Sequence, residues 1–258
     1  MKTLAIMNLK GGVGKTVTAI NVGAILARDY DDHVLFVDAD AQASLTEFVT
    51  ATLADRDRKT AGGLADVLRI PKRKITIRKT SLENADLLPA SEDLMELDIS
   101  SAGSGTVDVM ALHELRERID DEYEWMIIDC PPAFSASAMA ALIAADSVLI
   151  PMKLDAFGIR GMANLVAQVR NMQKVNPGLQ IEGILPTMYY NSPKLREAEQ
   201  LLRTSGLPVF SHIRRSTKVD EMTFAQTPII HSSPRSCACL DYRQFVKELL
   251  KGGAHNGV

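Results

Sequence analysis

The sequence predicts an α/β fold with a mostly parallel central sheet and helices on both faces. Three observations lead to this prediction. Short apolar runs alternate with stretches of helical apolar spacing, which is typical of strand–helix–strand units. The first run is followed at once by a glycine-rich loop. The chain has 258 residues, 46% of them hydrophobic, so we expect one domain spanning residues 1–258.

The N-terminal elements follow in order. Residues 2–8 are a short apolar run and predict a buried strand, whereas residues 16–30 have the spacing of a helix. Residues 33–44 predict a second buried strand that ends in carboxylates. Residues 60–70 predict a helix after two glycines. In residues 72–81, isoleucines alternate with charged residues, which predicts an exposed or edge strand.

The middle of the chain repeats the alternation. Residues 84–91 predict a short strand, and a serine then precedes a capped helix over residues 92–100. A loop rich in serine and glycine covers residues 100–105. Residues 107–123 have helical apolar spacing, and residues 124–132 predict a core strand that ends in an acid and two prolines.

The C-terminal part continues in the same way. Residues 146–152 and 180–188 predict two more strands, with a helix over residues 159–175 between them. Residues 192–206 predict a helix that a glycine ends, and residues 207–213 predict a last strand. Because the strands alternate with helices, we expect ligands to bind beyond the carboxyl ends of the strands.

A glycine-rich loop separates the first strand from the first helix. Its end, Gly14-Lys15-Thr16, matches the second half of the phosphate-loop pattern, but Leu9 stands where that pattern has its first glycine. Glycines let backbone N–H groups turn inward around anionic oxygens, and the positive end of the following helix points at the same place. We expect Lys15 to contact the β- and γ-phosphates of a nucleotide and Thr16 to offer its hydroxyl to Mg²⁺.

A second lysine, Lys10, precedes Lys15 by five positions. Two ammonium groups about 4 Å apart in the empty loop would cost roughly 4 kcal/mol at an effective dielectric of about 20. Lys10 avoids this repulsion if it lies at the outer shoulder of the loop and points away from Lys15. From there it can reach a phosphate held by another chain.

Acidic residues stand at the ends of two predicted core strands. Asp38 and Asp129 each end a strand, and Asp40 follows Asp38 by two residues, which puts the two side chains on the same side of an extended chain. Acids in this place hold Mg²⁺ in P-loop enzymes, often through water. The sequence therefore predicts a magnesium site beside the glycine loop.

Composition narrows the class of protein. No stretch reaches the roughly 18 apolar residues that a membrane span needs. Cys130, Cys237 and Cys239 form no disulfide framework, which fits a reducing cytoplasm. The net charge is −3, but from residue 184 onward ten basic residues face six acidic ones. This asymmetry permits a basic face on an acidic protein.

The segment from Lys10 to Thr16, KGGVGKT, resembles the deviant Walker A loop of the ParA/Soj and MinD ATPases. The resemblance implies ATP and Mg²⁺ as ligands and a homodimer in the ATP state, in which Lys10 reaches the nucleotide of the partner subunit. It implies catalytic roles for Lys10 and Lys15, and for Asp40 as the group that orients or deprotonates the attacking water. The implied Mg²⁺ shell is formed by Thr16, Asp38 and Asp129.

The likeness continues along the chain. Residues 38–44 resemble the first switch of that family, D-x-D-P-Q-G, with Ala41 in place of the proline and Ala43 in place of the glycine. Residues 183–192 resemble the strand that ends beside the adenine, and Arg214 stands where a proline packs on the base. The implied nucleotide-binding residues are Gly11, Gly12, Val13, Gly14, Lys15, Thr16, Val17, Met188, Arg214 and Arg215.

DNA contacts are implied less directly. Tyr190-Asn191-Ser192 replaces an Asp-x-Arg whose arginine contacts DNA in Soj-like members. Lys194 or Arg196, one turn later, can substitute for that arginine. Lys218 aligns with a second DNA-contacting arginine. The implied DNA-binding residues are Lys194, Arg196, Arg215 and Lys218.

The leading functional hypothesis is a cytoplasmic, nucleoid-associated partition ATPase of slow intrinsic activity. Its ATP dimer would bind DNA through phosphate contacts, without sequence preference, and a partner would stimulate hydrolysis and release. Because the first strand begins at residue 2, we expect a ParB-like protein to supply centromere recognition.

Two alternatives remain open. A MinD-like membrane-cycling regulator would need the amphipathic helix predicted over residues 239–251 to bind lipid, but its acidic residues favour packing against the core. A metabolic ligase or an iron–sulfur reductase would need a substrate pocket or paired cysteines that the sequence does not reveal.

Overall fold

The computed structural model describes residues 1–51, 53, 62–69, 75–100 and 107–252. These residues build a seven-stranded sheet with the order β3-β4-β2-β5-β1-β6-β7. Every neighbouring pair is parallel except β3 and β4. The strands are β1 (Lys2–Ile6), β2 (Val34–Asp38), β3 (Arg78–Lys79), β4 (Ala85–Leu88), β5 (Trp125–Asp129), β6 (Ser147–Lys153) and β7 (Gln180–Thr187).

Helices connect the strands and cover the sheet, so the predicted fold class is confirmed. In chain order they are α1 (Lys15–Asp29), α2 (Ser44–Thr50), α3 (Leu64–Leu68), α4 (Asp93–Ser100), α5 (Ala111–Arg118), α6 (Ala136–Ala144), α7 (Ala156–Met172), α8 (Pro193–Arg203), α9 (Thr217–Ala225), α10 (Ile229–Ser232) and α11 (Cys237–Leu250).

Two apolar clusters cover the two faces of the sheet. Successive strand residues point to opposite faces, so Leu4 and Ile6 belong to one cluster and Ala5 to the other. The cluster around Leu4 includes α1 and α11, where Phe245 meets Phe210 edge to face at 4.8 Å between ring centroids. The apolar face of α11 is buried there, which confirms the predicted packing of the final helix against the core.

Strand register places the acidic strand ends side by side. Asp129 of β5 stands opposite Ile6 of β1 on one side and Asp38 of β2 on the other. The chain leaves β1 at this edge and runs through the glycine loop into α1. The sheet therefore brings the loop and both carboxylates to one place, as the rule for parallel sheets requires.

Several predicted elements differ from the structure. Residues 207–213 are not a strand: Val209 makes an isolated bridge with Ile184, and Pro208 has no N–H to extend a ladder. Within the predicted edge strand, only Arg78–Lys79 pair with β4, residues 75–77 are not in a strand, and residues 72–74 lie outside the described part. Most of the predicted loop at 100–105 also lies outside it.

Some helices were not predicted at all. The sequence pattern assigned residues 33–44 to one strand, but the strand ends at Asp38 and α2 begins at Ser44. The helices α6 and α9 also went unpredicted. Alanine-rich α6 is buried almost all round and thus lacks an amphipathic pattern, and among residues 217–225 only Met222 is fully buried. None of the helices in the described residues is long and apolar enough to cross a membrane.

Candidate functional site

The loop between β1 and α1 has the backbone geometry of an anion cradle. Gly12 and Gly14 have φ angles of 70° and 87°, in the left-handed region that favours glycine. Gly14 is also the N-cap of α1 and provides no side chain to cap its N–H groups. The N–H groups at the start of a 15-residue helix therefore remain available to an anion beside the loop.

Lys15 lies within this cradle. Its side chain is buried, with 8% exposed, and its ammonium lies 3.4 Å from the carbonyl oxygen of Lys10. Burial lowers the pKa of Lys15, while the nearby Asp129 and Asp40 act to raise it. A poorly hydrated ammonium of this kind gains strongly from an anionic ligand.

Lys10 is held by a residue that the motif does not contain. Its ammonium binds both carboxylate oxygens of Asp155, at 2.8 and 2.7 Å. Asp155 is the N-cap of α7 and also accepts a hydrogen bond of 2.8 Å from the N–H of Gly158. The Lys10 hydrogen bond is the largest of the influences that lower the pKa of Asp155. A carboxylate therefore compensates the second positive charge of the loop.

The two strand-end acids are buried and hydrogen bonded. Thr16 donates its hydroxyl to Asp129 Oδ2 at 2.6 Å. Asp38 Oδ2 accepts bonds of 2.8 Å from both the N–H and the hydroxyl of Thr46. Burial raises the pKa of Asp38 to about 6 and that of Asp129 well above its usual value. A cation in this place would relieve the cost of keeping two carboxylates close together out of water.

The residues present fit a magnesium ion that is held largely by water and phosphate. Asp129 Oδ1 is buried and has no hydrogen-bond partner among the described residues, while its other oxygen holds Thr16. Within the described residues, no cluster of three histidines, cysteines or acids surrounds a single metal position. Mg²⁺ commonly uses one or two carboxylates and completes its shell with water and phosphate oxygens.

Asp40 lies on the turn between β2 and α2. Its carboxylate accepts a hydrogen bond of 3.0 Å from the N–H of Gln42, and its own N–H donates to Asp38 Oδ1 at 3.2 Å. The turn ends at Ala43, whose φ of 54° lies in the left-handed region. The loop therefore keeps a glycine-like conformation although alanine has replaced the glycine, at some cost in strain.

A cavity of about 430 Å³ opens beside the loop. Thr187 is among its lining residues and donates its hydroxyl to the carbonyl of Val13 at 2.9 Å. The lining combines apolar side chains with polar and charged groups, as expected for a nucleobase site. The lining residues are Gly14, Val17, Lys153, Thr187, Met188, Tyr190, Ile213, Arg214, Arg215, Ser216, Val219, Asp220 and Tyr242.

Five predicted nucleotide contacts, Gly14, Val17, Met188, Arg214 and Arg215, lie in this lining. Arg214 is already paired with an acidic residue, because its guanidinium binds the carboxylate of Asp241 at 2.7 and 2.9 Å. The structure thus leaves Arg214 as part of the wall, with its charge already neutralised. Sequence reasoning missed Tyr242, which comes to the cavity from α11.

The predicted DNA contacts lie on an exposed surface next to the cavity mouth. Lys194 and Arg196 are in the first turns of α8, Arg215 precedes α9, and Lys218 is in its first turn. The bridge between Tyr189 and Arg214 brings the two segments together. Lys218 is paired with Glu221 at 2.6 Å, which reduces its availability for phosphate.

These features together define a P-loop nucleotide-binding protein: a strand, a glycine cradle capping a helix, a buried lysine, two strand-end acids and an adjoining base-sized cavity. A family model described as an AAA domain matches residues 1–181. The chain is 34% identical to the sporulation initiation inhibitor protein Soj of Bacillus subtilis (strain 168), over 98% of this chain and 99% of the relative. It is 30% identical to the chromosome partitioning protein ParA of Caulobacter vibrioides, over 97% and 94%.

The chain belongs to this AAA-domain family and, within it, to the ParA/Soj-type ATPases. Solved structures agree on the fold. Cobyrinic acid a,c-diamide synthase from Mycobacterium smegmatis, with bound ATP analog and magnesium, has a TM-score of 0.80 and 28% identity over 97% of this chain and 94% of that chain. Apo McdA from Cyanothece has a TM-score of 0.81 at 24% identity, over 97% and 99%, which shows a shared fold.

Proposed function

We propose that this chain is a cytoplasmic, nucleoid-associated partition ATPase that dimerises around ATP and binds DNA without sequence preference as the dimer. Its intrinsic hydrolysis is slow, and a ParB-like partner stimulates hydrolysis and release. The relatives named for chromosome partitioning support this assignment. The observation that carries it is the second lysine, Lys10, at the shoulder of a cradle that already contains Lys15.

The chain's own residues bind the phosphates of ATP. The N–H groups of the glycine loop and the start of α1 face the anion, and the Lys15 ammonium takes the place of water around the terminal phosphates. Thr16, Asp38 and Asp129 would hold Mg²⁺, with Asp38 and Asp129 acting through water. When bound there, the ion would supply positive charge that stabilises the phosphate oxygens.

Hydrolysis needs a water held in line with the terminal phosphate. Asp40 is suited to hold it, because its carboxylate is partly exposed on the turn after β2 rather than buried as Asp38 is. Its bond to the Gln42 N–H leaves acceptor capacity on the carboxylate. In this assignment Asp40 orients the water and takes its proton.

Dimerisation is proposed to move Lys10 from Asp155 to the phosphates of the partner subunit. An ammonium that is partly exposed and paired with a carboxylate can exchange partners at modest cost, since such ion pairs contribute only about 0.2–1 kcal/mol. The Lys10 charge then stabilises the transition state in the partner site, so that ATP is hydrolysed only in the dimer.

The proposal is tested first through DNA binding. Asp40→Ala should trap the ATP dimer, and with ATP and Mg²⁺ this variant should bind arbitrary duplex DNA at low salt. Because phosphate contacts dominate, log K should fall linearly with log salt. Filter binding or fluorescence anisotropy measures the DNA affinity, and the control contains ADP in place of ATP. Failure to bind any duplex at low salt would remove the DNA step.

Two lysine variants test the nucleotide step. Lys15→Gln should lose ATP binding, whereas Lys10→Ala should bind ATP and remain monomeric. Calorimetric titration and sedimentation with a non-hydrolysable analogue separate the two effects. An ATP-bound Lys10→Ala dimer would contradict the proposal.

The alternative of membrane cycling gains no support from the structure. Phe245, Val246 and Leu249 of α11 are already buried in the core, whereas Leu240 is exposed. Lipid binding by this helix would require it to leave α1. Co-sedimentation with anionic liposomes in the presence of ATP would reveal it.

A further inference from the structure

A second concave surface adjoins the mouth of the nucleotide cavity. This groove, of about 480 Å³, shares Tyr190, Arg214 and Arg215 with the cavity and extends beyond them. We name it the tyrosine groove. Its lining combines aromatic rings with two arginines, of which Arg214 is paired with Asp241, and His212 Nδ1 lies 3.6 Å from Glu199 Oε2. The lining residues are Tyr189, Tyr190, Asn191, His212, Arg214, Arg215 and Cys237.

The floor of the tyrosine groove is built from stacked rings. Tyr189 and His212 lie face to face, with ring centroids 3.7 Å apart and planes 16° apart. Tyr189 is only 9% exposed, whereas Tyr190 next to it is 56% exposed. The buried ring fixes the backbone, and the exposed ring is left with a free face toward solvent. An aromatic ring in this setting offers a planar apolar surface beside polar partners.

The charges around Tyr190 favour an anionic, planar ligand. Arg215 is exposed, and its guanidinium forms no ion pair with the described residues. On the other side, Asn191 accepts a hydrogen bond from Arg196 at 2.5 Å, which orders the start of α8. Lys194 extends the positive surface along that helix. A free ring face between cations is the arrangement with which proteins hold unstacked bases of single-stranded nucleic acid.

We propose that Tyr190 and the tyrosine groove form a base-stacking subsite for single-stranded DNA within the proposed DNA-binding face. This inference rests on the proposed function and adds a selectivity to it. In a duplex the bases are stacked on one another and cannot reach Tyr190, so a duplex is bound through phosphate contacts alone. In a single strand, a base stacks on Tyr190 while Arg215 and Lys194 contact the flanking phosphates.

The two kinds of contact respond differently to salt, which makes the subsite testable. Anisotropy of a labelled oligothymidylate of about 20 nucleotides and of a duplex of the same length is measured on the Asp40→Ala chain with ATP and Mg²⁺. Adding Tyr190→Leu should weaken single-strand binding roughly 5- to 100-fold and duplex binding by less than about two-fold. The slope of log K against log salt should not change, because no phosphate contact is lost.

Two control variants define the contacts. Tyr190→Phe keeps the ring and should bind single strands like the parent. Arg215→Gln should weaken both DNA forms and reduce the salt slope by about 0.7 to 0.9. Because Tyr190 also borders the nucleotide cavity, affinity for a fluorescent ATP analogue and dimer formation are measured on each variant, and DNA binding is compared at ATP concentrations at which each variant is a saturated dimer.

The outcomes separate this inference from the function on which it rests. Equal single-strand binding by Tyr190→Leu and its parent would overturn the subsite and leave the duplex-binding ATPase intact. An equal loss on both DNA forms at saturating ATP would overturn it as well and would place Tyr190 in the duplex contact. If the parent binds neither DNA form, the proposed function fails together with the subsite.

Discussion

At the scale of single residues, Lys10 is paired with the carboxylate of Asp155 inside the chain and has a proposed phosphate partner outside it. Substituting Asp155 by asparagine tests the two partners separately. Asparagine also caps helices well and would keep the bond to Gly158. Asp155→Asn therefore removes the charge without removing the cap. Since dimerisation would no longer break an ion pair in each subunit, we expect roughly two- to ten-fold tighter dimerisation with an ATP analogue and Mg²⁺.

Sedimentation equilibrium checks this expectation. The matched control is Asp155→Asn in a Lys10→Ala background, where the ion pair is already gone and the second change should have no effect. Weaker dimerisation of Asp155→Asn alone would show that Asp155 supports the dimer instead of competing with it.

Tyr242 provides a residue-scale prediction of pH dependence. Its hydroxyl is buried against Thr18 at 3.3 Å, and burial raises the pKa of Tyr242 from 10.0 to about 12. Between these two values the unfolded chain loses the proton and the folded chain keeps it, so stability falls as the pH rises through this window. The loss is on the order of 3 kcal/mol. Denaturant unfolding should show a flatter alkaline pH dependence for Tyr242→Phe than for the wild-type chain, and equal slopes would contradict the assignment.

Individual residues also show which parts of the site local sequence patterns can predict and which they cannot. The glycine loop, Lys15 and the acids at strand ends follow from motifs whose chemistry is encoded within a few positions. Asp155 lies 145 residues from Lys10, and no spacing rule links the two. The tyrosine groove is equally invisible in sequence, because it forms where the segments after β7 and before α9 meet.

At the scale of elements, α1 must lie close to β2. A Cβ atom built on Gly23 of α1 would come within 2.2 Å of Phe36 on β2, whose ring is fully buried. Gly23→Ala should therefore destabilise the protein by about 1–3 kcal/mol through overpacking. Urea unfolding measures this change.

Gly161→Ala is the matched control, because nothing lies within 4 Å of its Cβ position on α7. It should leave stability unchanged or raise it by up to about 1 kcal/mol. Equal stability of Gly23→Ala and the wild-type chain would show that the Phe36 ring can move aside.

Element prediction succeeded where the burial pattern was regular. The core strands β1, β2, β5, β6 and β7 are short apolar runs, and their parallel order follows from the helices between them. Element prediction failed where contacts with the rest of the protein determine the local secondary structure. Helix α6 is buried on almost every side, so its sequence has no polar face to reveal its period. Residues 207–213 have the apolar character of a strand, but they are joined to β7 by the isolated bridge of Val209 and by a bond from Ile213 to Pro186 instead of a continuous ladder.

At the scale of the whole molecule, the proposed function makes each active site the product of two chains. One chain supplies the cradle, with Lys15, and the other supplies Lys10. A complex of a Lys10→Ala chain with a Lys15→Gln chain would then contain one complete site, because the first chain binds ATP and the second lends its lysine. Neither variant should hydrolyse ATP alone. Their mixture should recover at most about one half of the wild-type rate, since one of two sites is complete.

The test measures the rate of phosphate release while the ratio of the two variants is changed at constant total protein. Activity should pass through a maximum near equal amounts and vanish at either end. A double variant carrying both substitutions is the control, and adding it to either single variant should restore no activity, because neither mixture contains a complete site. If Lys10 acted on the nucleotide of its own chain, no mixture would contain a site with both lysines, and the curve would stay flat at the background rate.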